Sequence, residues 1–143
     1  MGKKRIVKKG GEGQGAGGSA ASARAPKRKL ENGILYVEAT YNNTKVSFAD
    51  PQGNTLLWSS SGSLGFAGAK KGTPFAAAKV GELIGDKASQ MGVKEASVVV
   101  KGVGAGRESS IRAFSTKGIH INSIKDTTPV PHNGPRPPKP RRV

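Results

Sequence analysis

The 143-residue sequence has no cysteine. Disulfide bonds and a thiolate-bound structural zinc are therefore excluded, and nothing points to an oxidising compartment. Carboxylates are scarce, with nine Asp and Glu against 24 Lys and Arg, for a formal net charge of +15. Such an excess repels itself in an isolated compact protein, so a polyanion is the natural partner. Long apolar runs are missing as well. None approaches the roughly 18 residues of a spanning helix, and the basic segments lack the aromatic and leucine face of an interfacial helix. Nucleic acid is the expected partner, and a membrane is not. The basic start, Met1 to Lys9, is followed by Gly10 to Gly18 where a secretory signal needs an apolar stretch.

The charge divides the chain into three. Residues 1–31 carry nine Lys/Arg and two Glu, net +7, residues 32–125 carry eleven and six, net +5, and residues 126–143 carry four and one, net +3. The first part is rich in Gly, Ala and Ser, cannot bury a core, and is expected to be a disordered basic tail. Within it Lys27, Arg28 and Lys29 adjoin the first strand and are the cations expected to be held in place. The last part is an extended Pro/Arg-rich tail. From Thr127 to Val143 it holds six prolines, four Arg/Lys and one His. Proline has no N–H and a fixed φ, so this run forms neither a helix interior nor a central strand. Its stiffness leaves it less freedom to lose on binding than a Gly/Ser tail would have.

The middle part reads as an α/β core. Ile34 to Tyr41 is β-branched and aromatic, the pattern of a central strand. Asn42 and Asn43 tolerate φ > 0 and signal a tight hairpin. Lys45 to Ala49 alternates polar and apolar, Asp50 to Asn54 is a turn with Pro51 at its second position, and Thr55 to Ser59 is a third strand. Ser60 to Gly72 is a long Gly/Ser-rich basic loop, of a length that is usually functional or disordered. Thr73-Pro74 gives an N-cap and first-turn proline to a helix running to about Met91, with Gly92 as its stop. Its apolar stripe is Ala76, Ala77, Val80, Leu83, Ile84, Ala88 and Met91. Gly81 and Gly85 inside it imply close packing against another element. Ala96 to Val100 is a buried parallel strand, Glu108 to Thr116 a second helix closed by Gly118, and Ile119 to Lys125 a last strand. The fold class is therefore α/β: a five-stranded mixed sheet, an antiparallel meander followed by parallel β-α-β-α-β, with packed helices. Ligands are expected where the loops after the third and fourth strands emerge.

Two loops carry chemistry. Lys101 to Arg107 places Gly102, Gly104 and Gly106 before a helix N-terminus, a cradle suited to a backbone phosphate; its G-x-G-x-G spacing fits neither a dinucleotide fingerprint nor a P-loop. In the other, Leu64 and Phe66 lie near Lys70 and Lys71, where an exposed ring beside cations stacks on a base. The alternative is that Phe66 folds into the core. A sheet of this order also resembles ribonuclease-H-like nucleases, so a metal-dependent nuclease or sugar-phosphate enzyme is the competing class. That chemistry needs clustered carboxylates. Glu38, Asp50, Glu82, Asp86, Glu95 and Glu108 form no such set, His120 and His132 are isolated, and no serine has an evident base. No catalysis and no cofactor are expected.

Four motifs then carry a resemblance: A-T-Y-N-N-T (39–44), T-P-F-A-A (73–77), G-x-G-x-G-R-E-S (102–109) and P-H-N-G-x-R-P-P-K-x-R-R-V (131–143). The chain from Gly33 onward resembles the universal small-subunit ribosomal protein S-eleven family in its bacterial form. The resemblance implies a cytoplasmic ribosomal protein of ribonuclease-H-like fold without catalysis. It would bind and bridge helices of the small-subunit ribosomal RNA on the platform, near the cleft where messenger RNA pairs with that RNA's 3′ end. Implied neighbours are small-subunit proteins seven and eighteen, with initiation factor three nearby. RNA contact is implied by region: Asn42 and Asn43; Lys70 and Lys71; Gly102, Gly104, Gly106 and Arg107; and in the tail His132, Asn133, Gly134, Arg136, Lys139, Arg141 and Arg142. Asn133 also precedes a glycine whose nitrogen is unhindered, so succinimide formation and isoaspartate are expected there.

Overall fold

The computed structural model describes residues 29–142. Lys27, Arg28 and everything before them lie outside the described residues, as does Val143. The elements are β1 (Asn32–Ala39), β2 (Thr44–Ala49), β3 (Thr55–Ser60), a 3-10 turn (Gly68–Gly72), α1 (Pro74–Gln90), β4 (Glu95–Lys101), α2 (Gly106–Ser115) and β5 (His120–Asp126). The sheet order is β3-β2-β1-β4-β5. β1 pairs antiparallel with β2 and parallel with β4, β2 pairs antiparallel with β3, and β4 pairs parallel with β5. This is the five-stranded mixed sheet that the sequence pattern implied.

Both crossovers, β3-α1-β4 and β4-α2-β5, carry the chain the same way across the sheet. Right-handed connection then puts both helices on one face. That face is the core: Leu35, Val37, Val46, Phe48, Leu57, Val98 and Val100 from the strands meet Val80, Ile84, Ala88 and Phe114 from the helices, all buried. Among the described residues no helix lies over the other face, which carries Tyr36, Ser47, Trp58 and Val99. Among the described residues no helix is long and apolar enough to cross a membrane.

Helix α1 begins as its sequence requires. Thr73 is extended, its hydroxyl accepts from Ala76 N at 3.4 Å, and Pro74 occupies the first turn. It ends at Gly92, whose φ of 84° is open to glycine and strained for other residues. Gly81 and Gly85 are buried, and α2 is the partner their presence implied: a methyl on Gly81 would run into the Ser110 carbonyl.

Several boundaries differ from the sequence reading. β1 stops at Ala39, because Thr40 turns the chain. Its hydroxyl donates to Asn43 O and accepts from Asn43 N, both at 3.1 Å. Tyr41 therefore leaves the strand and stands 79% exposed. The hairpin closes without positive φ at Asn42 or Asn43; among non-glycine described residues only Asn133 has it. The long loop is not all irregular, since Gly68–Gly72 winds into a 3-10 turn. α2 starts at Gly106, two residues early, and Leu83 is half-buried where the other stripe residues are buried. The core also reaches back to Leu30 and Glu31, whose backbones bond Met91 O and the Lys94 and Glu95 N–H groups. At the far end Asp126 belongs to β5.

Candidate nucleic-acid interface

β1, β3, β4 and β5 run in one direction, so their C-terminal ends share one edge of the sheet. Four segments leave that edge: the turn 40–43, the loop 61–73, the glycine loop 102–105 and the tail from Thr127. The loops after β3 and β4 thus emerge together, as ligand-binding α/β sheets arrange them.

Glycines let these segments touch. Side chains on Gly102 and Gly104 would strike the Ala39 and Thr40 carbonyls, and one on Gly72 the Tyr41 carbonyl. In their absence Gly104 N donates to Ala39 O at 2.8 Å and Ser61 N to Thr44 O at 2.9 Å. Gly106 faces the Thr44 side chain with no room for a Cβ. Close approach thus accounts for all three glycines of the G-x-G-x-G motif, to backbone at Gly102 and Gly104 and to the Thr44 and Ala77 side chains at Gly106.

Arg107 has a different position from the end of a phosphate cradle. Its guanidinium donates to the Gly102 carbonyl, to Thr128 Oγ1 at 3.3 Å and to Asp126 Oδ2 at 2.5 Å. Thr128 in turn donates from Oγ1 to Asp126 Oδ1 at 2.6 Å, donates from N to the same oxygen at 2.9 Å, and accepts from Gly102 N at 3.2 Å. Thr127 N continues the ladder to Val100 O at 2.9 Å. This clasp fixes the direction in which the tail leaves the core. Sequence reasoning missed Asp126 and Thr128; the signal was the Asp-x-Thr spacing, in which a carboxylate bonds the backbone two residues on.

The clasp sets a pH dependence. The Thr128 hydroxyl first, then the Thr128 N–H and Arg107, hold the Asp126 carboxyl down to about 2 from 3.8. A carboxyl depressed in the folded state adds stability above its unfolded value, and that stability is lost as pH falls through the folded one. Asp126→Asn is therefore expected to be less stable than the native chain near pH 6. The difference should shrink below about pH 4 and close near pH 2. Urea unfolding at each pH, with the Thr128 amide followed by NMR, measures it; a gap independent of pH would contradict the clasp.

Lys70 and Lys71 sit on the 3-10 turn, and Arg136, Lys139, Arg141 and Arg142 lie along the exposed tail with His132, Asn133 and Gly134. Among the described residues none of these six cations is in an ion pair. Asn42 is exposed beside Tyr41, and the buried Asn43 Oδ1 finds no donor among the described residues. Phe66 neither enters the core nor stands alone: it packs edge-on to Phe75, ring centroids 6.1 Å apart, with Lys79 Nζ 5.6 Å from the Phe75 centroid. Lys29 is not brought to this edge. It lines a hollow with Asp50, Pro51 and Gln52 at the start of β1. The carboxylates stay dispersed, with Asp50 bonded to Asn54, Glu82 paired with Lys79 and Asp86 with Lys117. Among the described residues no three His, Asp or Glu gather to hold a metal.

Residues 33–142 match the family model described as "Ribosomal protein S11". The chain is 50% identical over 128 residues to the small ribosomal subunit protein uS11 of Solibacter usitatus (strain Ellin6076), covering 90% of this chain and 95% of the relative. It is 53% identical over 120 residues to the protein of the same description from Treponema pallidum (strain Nichols), covering 84% of this chain and 95% of the relative.

Proposed function

The chain belongs to the ribosomal protein S11 family, and from that membership and the geometry of its loop-bearing edge we propose how it works. It is a structural constituent of the small ribosomal subunit and an RNA-binding component of translation, not an enzyme. Its RNA-facing surface is the C-terminal edge of the sheet, where Asn42, Asn43, Lys70 and Lys71 present donors and charge. The glycines and Arg107 act behind them, holding the loops together and aiming the tail. The tail, from His132 through Arg142, passes between RNA helices and bridges them on the platform, beside the cleft where messenger RNA pairs with the 3′ end of the small-subunit RNA. Small-subunit proteins seven and eighteen and initiation factor three are its neighbours there, and the setting is the bacterial cytoplasm.

The observation that carries this reading is that the Lys70–Lys71 turn and the cationic tail both leave one edge of the sheet, with none of their six cations in an ion pair among the described residues. Phosphate contacts from Lys and Arg fix position, and the RNA's shape decides the fit. Lys29 lies at the opposite edge of the sheet, and with Lys27 and Arg28, which precede it in the sequence, it is proposed as part of a second RNA-binding arm. Asn133, at φ 59° before Gly134, is proposed as the isoaspartate site, which mass spectrometry after Asp-N cleavage detects.

The test is sedimentation. In a gradient of cell extract the protein should travel with small-subunit particles and shift to the top after ribonuclease treatment. A protein that stays free at low salt, or keeps its position after RNA is digested, would refute the reading.

A further inference from the structure

The sheet face opposite α1 and α2 carries a second ordered surface. Register places Trp58, Ser47, Tyr36, Val99 and Lys125 in one row across all five strands. The neighbouring row toward the loop-bearing edge holds Ser60, Lys45, Glu38 and Lys101. Tyr36 is 36% exposed and Trp58 61%. The small Ser47 between them separates the rings by two strand spacings, about 10 Å. Lys45, Lys101 and Lys125 are exposed around the rings, and among the described residues none of them is in an ion pair.

We infer that this face is a platform for unpaired RNA. Two bases splayed from a single strand stack on Tyr36 and Trp58, and the three lysines meet the phosphates on either side. Rings supply a surface that any base can use, and cations track the backbone, which together select a single strand over a duplex whose bases are already stacked. A protein partner fits less well: the centres of protein–protein interfaces are depleted in lysine, whereas here three lysines and one glutamate surround the rings. The inference rests on RNA being the partner and adds a surface separate from the loops and tail.

Trp58 is the only tryptophan in the chain, so its emission reports this face alone. The full-length protein is titrated with a short oligoadenylate and with an RNA duplex of equal length. The single strand should quench Trp58 emission and the duplex should not. Trp58→Ala and Tyr36→Ala should each weaken oligoadenylate binding by roughly tenfold, while Trp58→Phe keeps most of it. A chain lacking residues 129–143 should still be quenched, which separates this surface from the tail. Circular dichroism confirms that each variant is folded. Oligoadenylate retained on a filter with Trp58 emission unchanged would overturn the inference. So would Trp58→Ala binding like the native chain, or Trp58 cross-linking to a protein rather than to RNA in intact subunits.

Discussion

Gly81→Ala should destabilise the protein by about 2 kcal/mol or more, while Gly85→Ala, one turn along the same helix, should stay within about 1 kcal/mol of the native chain. Both substitutions give α1 the same gain in helix propensity, about 1 kcal/mol, because alanine loses less backbone freedom than glycine. They differ in what the new methyl meets. At Gly81 it meets the carbonyl and Cα of Ser110, and at Gly85 it meets chiefly the Lys117 side chain. Rotation about χ1 carries Lys117 Cγ away, at the expense of its 3.1 Å pairing with Asp86, a half-exposed contact of small worth, while Lys117 Cβ, 3.2 Å from the new methyl, has to give by only a few tenths of an ångström. Ser110 cannot move alone. It is fully buried on α2, with its hydroxyl donating to Gly106 O at 2.8 Å, so the whole helix must shift. Against a total stability of roughly 5–15 kcal/mol, the loss at Gly81 lowers the urea midpoint by about 1 M or more. Equal midpoints for the two variants would mean that α1 and α2 do not cross as closely as the structure shows.

That pair of glycines marks where the sequence was legible and where it was not. Their presence inside a helical stripe announced a close neighbour, because nothing else justifies their propensity cost. The identity of the neighbour, the Ser110 backbone, depended on the packing of a helix nearly thirty residues away. The strands were legible for a similar reason. Val46 and Phe48, or Val98 and Val100, alternate at a period of two, which matches a pleated strand with one face on the core. The antiparallel meander and the parallel pairing of the later strands followed from connection lengths and handedness, whereas the strand of the meander that β4 joins, β1, is seen only in the structure.

The candidate site was legible as segments and hidden as chemistry. Asn42-Asn43, Lys70-Lys71, Gly102 to Arg107 and the tail stood out by composition, and the topology delivers all four to one edge. Arg107 shows what composition cannot carry. A glycine loop ending in arginine suits a phosphate, but the partner of that arginine is Asp126, nineteen residues on, reached only once β5 has paired with β4. Tyr41 shows the complementary error. Its aromatic ring extended the strand pattern by two residues, and only the Thr40–Asn43 hydrogen bonds reveal that the chain has already turned. Trp58 was counted as a strand residue. Its exposure follows from both helices lying on the opposite face.

Removing residues 129–143 should have the largest effect on RNA binding and almost none on the core. The deletion takes away Arg136, Lys139, Arg141 and Arg142, none of which is in an ion pair among the described residues. Each phosphate neutralised contributes about 0.7–0.9 to the slope of log K against log salt, so four cations account for about three units. Because counterion release vanishes near molar salt, a slope of three corresponds to roughly 10²- to 10³-fold in affinity at about 0.1 M. The core should unfold within about 0.5 kcal/mol of the native chain, since none of the described residues in the deleted segment belongs to the buried cluster and Val130 is 72% exposed. A second truncation, starting at Thr127, should behave differently. It also removes the bond from Thr127 N to Val100 O and all of Thr128's contacts with Asp126, Gly102 and Arg107. That chain should lose stability as well as affinity, with Arg107 and Asp126 freed from Thr128. Filter binding to small-subunit ribosomal RNA across a salt series, beside urea unfolding of both truncations, resolves the two effects. An unaltered salt slope after the shorter deletion would remove the tail from RNA recognition and leave the loops of the sheet edge to carry it alone.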